Sequence, residues 1–203
     1  MATYKQTVFI VDDDKPVRSA LRLLMKSVGH DAMTFTSGDE FLASCKPGIS
    51  GCLVLDIRMP GMSGLELQEK LREQGVNIPI IFITGHGDVP MAVQAMKHGA
   101  MEFLQKPFRE QDLIDRVNEA LEKNLNVHKL ALQRTEIKQR VTKLTPRERQ
   151  IMDMIVQGKA SKVIAIDLGV SQRTVDTHRT RIMRKMQAKS LAELVKTAVR
   201  HQD

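Results

Sequence analysis

Apolar and polar positions follow two alternating patterns over roughly the first 120 residues of the chain. Short apolar runs, rich in β-branched residues and ended by polar or glycine positions, indicate buried strands at 8–11, 32–35, 52–55, 78–83 and 101–104. Between them, apolar residues recur at three- and four-residue spacing, which is typical of helices with one buried face. Strands that alternate with helices predict an α/β fold, a doubly wound five-stranded parallel sheet with helices on both faces.

A long stretch without helix-breaking residues follows this region. Neither proline nor glycine occurs from Arg109 to Lys143, and apolar residues continue at helical spacing to Leu125. We therefore predict that the last helix of the first domain, residues 1–123, continues into a helical linker at 124–142. A flexible coil is the alternative, because the apolar spacing loosens after Leu125.

The last part of the chain carries the signals of a small helical domain. Thr145 suits a helix N-cap, Pro146 suits the first helical position, and Glu148 completes a capping box. Three further helices are predicted at about 161–168, 171–186 and 190–200. Residues 143–203 are thus expected to form an all-α domain of four helices that contains a helix-turn-helix.

The distribution of charge separates the same two parts. The formal net charge is +7, yet residues 1–124 hold 14 Lys/Arg against 17 Asp/Glu, a net of −3. Residues 125–203 hold 17 Lys/Arg against 7 Asp/Glu, a net of +10. An acidic module joined to a strongly basic one indicates that the second part binds a polyanion.

Composition argues against several other classes of protein. No apolar run reaches the ~18–20 residues that span a bilayer, and the first residues lack the apolar segment of a signal peptide. We therefore expect a cytoplasmic protein with no membrane partner. Cys45 and Cys52 have neither a second pair nor a nearby histidine cluster, so two reduced thiols are expected rather than a disulfide framework or a zinc site.

Polar residues that could carry chemistry directly follow the predicted strands. They are Asp12, Asp13 and Asp14 after the first strand, Asp56 after the third, Thr84 after the fourth and Lys106 after the fifth. Because the carboxyl ends of parallel strands meet at one edge of a sheet, these side chains should share a pocket. Clustered carboxylates repel one another unless a cation neutralises them, and oxygen ligands suit Mg²⁺ or Mn²⁺. An aspartate can accept a phosphoryl group as an acyl phosphate. For Asp14 alone, a helix cap or a solvated position is the better interpretation.

These residues lie in motifs that follow one another in the order of a known domain. The motifs are Val11-Asp12-Asp13-Asp14, Leu55-Asp56-Ile57-Arg58-Met59-Pro60-Gly61-Met62-Ser63-Gly64, Ile83-Thr84-Gly85 and Lys106-Pro107-Phe108. Over residues 5–123 the chain resembles the receiver domain of bacterial response regulators, which has a flavodoxin-like fold. The resemblance implies that Asp56 accepts a phosphoryl group from a sensor histidine kinase. It also implies that Asp12, Asp13, Asp56 and the backbone carbonyl of Arg58 hold Mg²⁺.

The same resemblance implies roles around the phosphoryl group. Thr84 and Lys106 would contact its oxygens, and Phe103 would turn inward as an aromatic switch when Thr84 is drawn to it. Without the resemblance, Phe103 could equally be a core residue. The bond between Lys106 and Pro107 is often cis in this family, and a cis X–Pro bond is energetically accessible.

An enzyme that uses Asp56 as a nucleophile is the rival interpretation. A phosphatase of the haloacid dehalogenase type places a second aspartate two residues after the nucleophile as general acid. Arg58 occupies that position and cannot supply a proton at neutral pH. We therefore expect a phosphoryl acceptor that is not an enzyme.

The helix predicted at 171–186 has an apolar side and a basic side. Val175, Ile182 and Met186 mark the apolar stripe, and most cationic residues lie on other faces. Cationic, hydroxyl and amide side chains are the groups that contact phosphates and base edges in DNA. A solvated amphipathic helix that binds nothing is the alternative.

The second domain also resembles a known one. The matching residues are Leu144-Thr145-Pro146-Arg147-Glu148, Gly158, Lys162, Ile164-Ala165, Leu168, Ser171, Arg173-Thr174-Val175, His178-Arg179, Met183-Arg184-Lys185-Met186 and Ser190-Leu191-Ala192-Glu193-Leu194-Val195. Over residues 144–200 the chain resembles the LuxR-type helix-turn-helix of FixJ-like response regulators. The resemblance implies that residues 172–186 enter the major groove of double-stranded DNA and that a homodimer binds paired half-sites.

Individual DNA contacts are expected from residue type and position. Phosphate contacts are expected from Lys162, Thr174 and His178, and base contacts from Asp176, Thr177 and Arg179. The wider DNA-binding set adds Arg173, Arg181 and Lys185.

The two resemblances together predict a phosphorylation-gated transcription regulator, an activator by resemblance, with RNA polymerase as a possible further partner. Phosphorylation would reorganise the face made by residues 90–97 and 101–104. Met91, Met96 and Met101 would supply an adaptable contact there, with a place in the core as the alternative for each. Two other functions stay open: a phosphotransfer intermediate that docks on proteins, and an RNA-binding antiterminator.

Overall fold

The computed structural model of the protein describes residues 6–45, 48–85 and 89–202, with side chains to residue 198. The chain forms two compact units, Met1–His128 and Lys129–Asp203. In the described part of the chain, no helix has the length and apolar character needed to cross a membrane.

The first unit is an alternation of strands and helices. Its elements are β1 (Thr7–Val11), α1 (Lys15–Ser27), β2 (Asp31–Phe35), α2 (Gly38–Ser44), β3 (Gly51–Asp56), α3 (Gly64–Glu73), β4 (Ile80–Thr84), α4 (Val89–Lys97), β5 (Glu102–Gln105) and α5 (Glu110–Thr142). The strands form one sheet in the order β2-β1-β3-β4-β5, and every neighbouring pair is parallel. The predicted five-stranded parallel α/β fold is therefore confirmed.

The sheet is buried on both faces, so its central strands carry few polar residues. Every residue of β3 and β4 is buried. In β1 successive side chains point to opposite faces: Phe9 and Val11 pack into one core cluster, and Val8 and Ile10 into the other. This double burial explains why β3 and β4 read as continuous apolar runs.

A buried amide joins α5 to the amino end of the sheet. Asn124 Oδ1 accepts hydrogen bonds from the backbone N–H of Gly51 at 2.9 Å and from Ser50 Oγ at 3.1 Å. Gly51 lies so close to β1 that a Cβ atom there would stand 1.8 Å from the carbonyl oxygen of Thr7. The start of β3 therefore requires glycine, and Asn124 ties that start to α5.

The second unit contains four helices after the end of α5. They are α6 (Pro146–Val156), α7 (Ser161–Leu168), α8 (Gln172–Met186) and α9 (Leu191–Gln202). The predicted all-α domain is confirmed, including the reciprocal capping box between Thr145 and Glu148. Ile137 and Val141 belong to the core of this unit, so the last turns of α5 pack within it.

Gln187 ends α8 in the left-handed conformation, with φ 56°. A side chain is strained there and glycine is not, so Gln187→Gly should stabilise the second unit by about 0.5–1 kcal/mol. Urea unfolding followed by circular dichroism measures the change, with Gln187→Ala as the control. A glycine variant no more stable than the alanine variant would contradict the assigned strain.

Candidate functional site

Four strands of the first unit end at one edge of the sheet and bring the predicted acid site together. Asp12, Asp56 and Thr84 are buried, with 1%, 7% and 1% of their surface exposed. Lys106, which follows β5, reaches across to both carboxylates. Its Nζ lies 2.8 Å from Asp12 Oδ2 and 3.6 Å from Asp56 Oδ1. The structure thus juxtaposes residues that lie up to 94 positions apart in sequence.

The loop after β1 orients Asp12 and leaves its neighbours exposed. Asp12 Oδ1 accepts a hydrogen bond from the Asp14 backbone N–H at 2.8 Å, and its carbonyl oxygen accepts one from Arg18. Asp13 and Asp14 are exposed. Asp14 is the N-cap residue of α1, but within the described structure its side chain makes no capping hydrogen bond. Asp12 is therefore the fixed carboxylate of the loop.

Burial makes Asp56 an unusually weak acid for an aspartate. Desolvation raises the pKa of Asp56 from 3.8 to about 6, against the opposing charge of Lys106. The negative charges of Asp12 and Asp13 raise this pKa further. The cost of ionising Asp56 thus comes mainly from lost hydration.

The balance of charge at this edge suits a divalent cation. Two carboxylates, those of Asp12 and Asp56, face the ammonium of Lys106, and the charge of the exposed Asp13 acts on Asp56 as well. Among the residues that the structure describes, no three His, Cys, Asp or Glu side chains are gathered as a metal-holding group. The donor chemistry fits Mg²⁺ or Mn²⁺, and Lys106 neutralises part of the charge that such a cation would neutralise. Arg58, whose backbone carbonyl was the fourth expected donor, has an exposed side chain.

The amino end of α3 packs directly against the backbone of Asp56. The N–H of Gly64 donates to the carbonyl oxygen of Ile57 at 2.9 Å, and a Cβ on Gly64 would stand 2.3 Å from the Asp56 carbonyl oxygen. Ser63 caps the helix and forms a reciprocal capping box with Glu66. Gly64 thus sets how closely α3 approaches the acid site.

Gly64→Ala is accordingly expected to destabilise the first unit by about 2–3 kcal/mol, because backbone must move to admit the methyl group. It should also slow the phosphoryl uptake that the sequence predicts for Asp56. Urea unfolding and the rate of mass gain with acetyl phosphate measure the two effects. Gly85→Ala is the control, since no described atom lies within 4 Å of its Cβ position. Equal stability of the two variants would contradict the assigned role of Gly64.

Phe103 and the three methionines named above occupy different environments. Phe103 and Met91 are partly buried against one core cluster, whereas Met101 packs against the cluster on the opposite face of the sheet. Met96 is exposed, as is Val93 on the same helix. Met101, the residue before β5, therefore packs on the other face of the sheet from Met91, whereas Met96 is exposed.

A groove of mainly apolar character adjoins the acid site. Val17 and Leu24 of α1 line one part of it, and Pro107 and Phe108 line another, together with Lys106. The peptide bond between Lys106 and Pro107 is cis. The lysine of the acid site therefore also belongs to the wall of this groove.

In the second unit, α8 has sharply different sides. Val175, Ile182 and Met186 are buried, as their spacing predicts. The opposite side is a stripe of exposed residues at helical spacing. It consists of Arg173, Asp176, Thr177, Thr180, Arg181 and Arg184. Thr180 and Arg184 were absent from the predicted contact set, although the spacing from Arg173 and Thr177 could have identified them.

Three other predicted contact residues of α8, His178, Arg179 and Lys185, are only partly exposed. His178 is half-buried, and its Nδ1 has no hydrogen-bond partner in the described structure. Arg179 Nη1 donates to Ser161 Oγ at 2.9 Å. Lys185 Nζ lies 2.6 Å from Glu148 Oε2, and that carboxylate is 2% exposed. Arg179 and Lys185 therefore connect α8 to α7 and α6.

Two residues at the ends of the helix-turn-helix are exposed. Thr174 lies in the first turn of α8, where its backbone N–H is capped by Ser171 Oγ at 3.1 Å. Lys162 lies at the start of α7 and is exposed. Both occupy helix amino ends, which suits contacts with phosphate.

Comparison with protein families divides the chain in the same way. Residues 8–118 match the family described as "Response regulator receiver domain". Residues 142–198 match the family described as "Bacterial regulatory proteins, luxR family". Both resemblances seen in the sequence are thereby confirmed.

Individual proteins match over nearly the whole chain. "Nodulation protein W" of Bradyrhizobium diazoefficiens is 44% identical over 195 residues, which cover 96% of this chain and 86% of that protein. "Transcriptional regulatory protein FixJ" of Azorhizobium caulinodans is 44% identical over 192 residues, or 95% of this chain and 91% of that protein. Among solved structures, the response regulator StyR matches with a TM-score of 0.89 and 47% identity, covering 96% of this chain and 98% of that chain.

Proposed function

The chain belongs to the response regulators that join a receiver domain to a LuxR-type DNA-binding domain, a family of transcription factors and not of enzymes, and from this we propose how its parts work. A receiver domain implies a histidine kinase as partner, and the LuxR-type domain implies binding to DNA. We propose that phosphorylation of Asp56 in domain 1–123 governs dimerisation and promoter binding by domain 143–203, with 124–142 as a helical linker. The observation that carries the proposal is the convergence of Asp56, Asp12, Thr84 and Lys106 at one sheet edge.

The acceptor step follows from the surroundings of Asp56. A carboxylate oxygen attacks phosphorus, the bond from phosphorus to the donor breaks, and the donor leaves with the electron pair. Lys106, already 3.6 Å from Asp56, contacts a phosphoryl oxygen as a point charge, and the buried Thr84 hydroxyl contacts another. Asp12, Asp13, Asp56 and the Arg58 carbonyl would hold Mg²⁺ or Mn²⁺, which neutralises developing charge when bound.

The groove beside Lys106 suits the docking of the kinase. A phosphohistidine must come within bonding distance of Asp56, so its protein must cover the surface next to the acid site. The apolar residues Val17, Leu24 and Phe108 offer that surface. A helical segment of the kinase with apolar residues at helical spacing is the proposed occupant.

The conformational response begins when the phosphoryl group adds a charge of roughly −1.5 to −2 at Asp56. Thr84 then moves toward the phosphoryl group, and Phe103 turns into the space left beside it. The face of α4 and β5, with Val93 and Met96 exposed, shifts its population toward a form that pairs with a second copy. Dimerisation supplies two DNA-binding domains for paired half-sites, and RNA polymerase is the further partner of an activator.

The exposed stripe of α8 is the proposed reading surface in the major groove. Arg173, Asp176, Thr177 and Arg181 are exposed there, and such side chains contact base edges or flanking phosphates. Lys162, Thr174 and His178 are proposed to contact the DNA backbone.

Lys162→Ala is expected to weaken binding to all duplexes alike and to reduce the slope of log affinity against log salt by about 1. The reason is that an exposed lysine at a helix amino end contacts phosphate, which carries no sequence information. Salt titrations with a selected and a shuffled duplex measure both quantities. Lys70→Ala, an exposed lysine of α3, is the charge-matched control. A loss confined to the selected duplex would contradict the phosphate contact.

The proposed function is tested with acetyl phosphate. The full chain, with Mg²⁺ or with EDTA, is followed by intact mass, sedimentation and binding to random-sequence duplex DNA or RNA. One added phosphoryl group, a monomer-to-dimer shift and tighter duplex binding are expected with Mg²⁺ only. Phosphorylation without a gain in duplex binding would favour a phosphotransfer intermediate, and preference for RNA would favour an antiterminator.

A further inference from the structure

Arg179 lies on the packed side of α8. It comes four residues after Val175 and three before Ile182, both of which are fully buried, and residues at this spacing share one face of a helix. Arg179 itself is half-buried, as is His178 before it, whereas Thr177 and Thr180 are exposed. A side chain at position 179 is therefore directed toward the body of the second unit and not along the exposed stripe.

The guanidinium of Arg179 is held by the first residue of α7. Its Nη1 donates to Ser161 Oγ at 2.9 Å, across 18 positions of sequence. Ser161 is half-buried, so the hydrogen bond is partly shielded from water. A guanidinium has five N–H donors in a rigid plane, and this contact uses one of them. Fixing one edge of the plane orients the remaining donors.

The place where the guanidinium is held indicates what it can bind. In a helix-turn-helix the second helix lies in the major groove, while the first helix crosses the DNA backbone. Ser161 begins that first helix, and the exposed Lys162 follows it. Arg179 is thus oriented where a phosphate passes, and planar guanidinium donors match phosphate oxygens in pairs.

We infer that Ser161 and Arg179 act as a pair, in which Ser161 is a positioning residue that orients Arg179 toward a DNA phosphate. Arg179 then contributes to affinity for any duplex and does not select the sequence. This role differs from the base contact that residue type alone suggested. The inference rests on the proposed DNA-binding function and assigns the two residues a separate part in it.

A double-mutant cycle in the full chain tests whether Ser161 and Arg179 act as a pair. The probes are a 30-base-pair duplex (about three turns of DNA) selected by the wild type from a random pool, and a shuffled duplex of the same composition. Ser161→Ala and Arg179→Ala should each weaken DNA binding by about 3–10-fold. For each variant, the loss should be the same on the selected and on the shuffled duplex. The double variant should bind no more weakly than Arg179→Ala alone, and Ser161→Thr, which keeps a hydroxyl, should bind within about twofold of the wild type.

Arg181→Ala is the matched control, because Arg181 is exposed on the same helix. Its effect should multiply with that of Ser161→Ala. Independent effects of Ser161 and Arg179 on the shuffled duplex would overturn the inference, and so would a loss at Arg179 confined to the selected duplex. Unchanged thermal unfolding of Ser161→Ala by circular dichroism shows that the fold is retained. Failure of the wild type to select any sequence contradicts sequence-specific DNA binding, whereas the same cycle on a random-sequence duplex still decides whether Ser161 and Arg179 act together.

Discussion

Asp56→Asn is expected to abolish phosphoryl uptake and every response of the protein to a phosphodonor. The amide lacks the nucleophilic carboxylate oxygen that forms the acyl phosphate. Intact mass after acetyl phosphate and Mg²⁺ should show one added phosphoryl group on the wild type and none on the variant. Sedimentation and duplex binding of the variant should be the same with and without the donor. Asp14→Asn is the control. It changes an exposed aspartate in the loop that carries Asp12, and it should take up one phosphoryl group like the wild type.

The same substitution should stabilise the protein at neutral pH when metal is removed. The pKa of Asp56 is raised from 3.8 to about 6 in the folded protein. A raised pKa means that folding favours the protonated form, so this contribution is present below pH ~4 and is lost as the pH rises through about 6. The amide of the Asp56→Asn variant does not ionise, so the variant should gain at most about 3 kcal/mol over the wild type at pH 8, and almost nothing at pH 4.

Urea unfolding in EDTA at pH 4, 6 and 8 measures this gap. Added Mg²⁺ should narrow it at pH 8, because a cation stabilises the ionised carboxylate of the wild type. Donor-dependent dimerisation that survives in Asp56→Asn would refute the proposed mechanism. A gap that widens as the pH falls would refute the assigned direction of the pKa.

Glu148→Ala is expected to destabilise the second unit by about 2–4 kcal/mol. Glu148 Oε2 accepts hydrogen bonds from the Thr145 backbone N–H at 2.8 Å and from Lys185 Nζ at 2.6 Å. The substitution therefore removes a capping contact of α6 and the buried partner of a lysine on α8. Because Lys185 remains partly exposed, water can hydrate its ammonium again, which limits the loss. DNA affinity should fall as well, because α8 loses the contact between Lys185 and Glu148 that holds it against α6.

The pH dependence of this network has the opposite direction to that of Asp56. Burial raises the pKa of Glu148, but the hydrogen bonds from Lys185 and Thr145 outweigh it and leave the pKa below 4.5. A lowered pKa stabilises the folded protein above the ordinary pKa, and this contribution is lost as the pH falls through the lowered value. Glu148→Gln should therefore flatten the acid unfolding of the second unit.

Hydrogen exchange at the amides of α6 and α8 localises the effect to the second unit. Glu193→Ala is the control, because that carboxylate is exposed and accepts only a backbone N–H in the bonds described for it. It should cost about 1 kcal/mol or less. If Glu148→Ala lowered the free energy of unfolding no more than Glu193→Ala, the stabilising role assigned to the buried Glu148 would be wrong.

The architecture and the acid site were largely predictable from the sequence. Strand burial and helix capping are local signals, so β3 and β4 could be recognised as central, and the start of α6 could be placed at Pro146 from Thr145 and Glu148. Because the carboxyl ends of parallel strands meet at one edge of a sheet, the sequence alone predicted that Asp12, Asp56, Thr84 and Lys106 lie close together.

The contacts of individual side chains were not predictable in the same way. Lys185 and Arg179 have the residue types that bind DNA, and only their neighbours in space, Glu148 and Ser161, show how each is held. Likewise, the sequence contains nothing that states how near Gly64 comes to the backbone of Asp56. Residue type predicts what a side chain can do, whereas packing decides which of those interactions it makes.

The sharing of Lys106 between two carboxylates bears on the fidelity of signalling. The carboxyl groups of Asp12, Asp13 and Asp56 outnumber the ammonium of Lys106 and the guanidinium of Arg18, so together these five groups carry a net negative charge when metal is absent and all three acids are ionised. Such a charge repels free phosphate and sulfate ions from the proposed phosphorylation site. A donor must bring binding energy of its own, from a docking surface or from a high transfer potential, to overcome that repulsion. We therefore expect free phosphate and sulfate to bind only weakly at this edge when metal is absent.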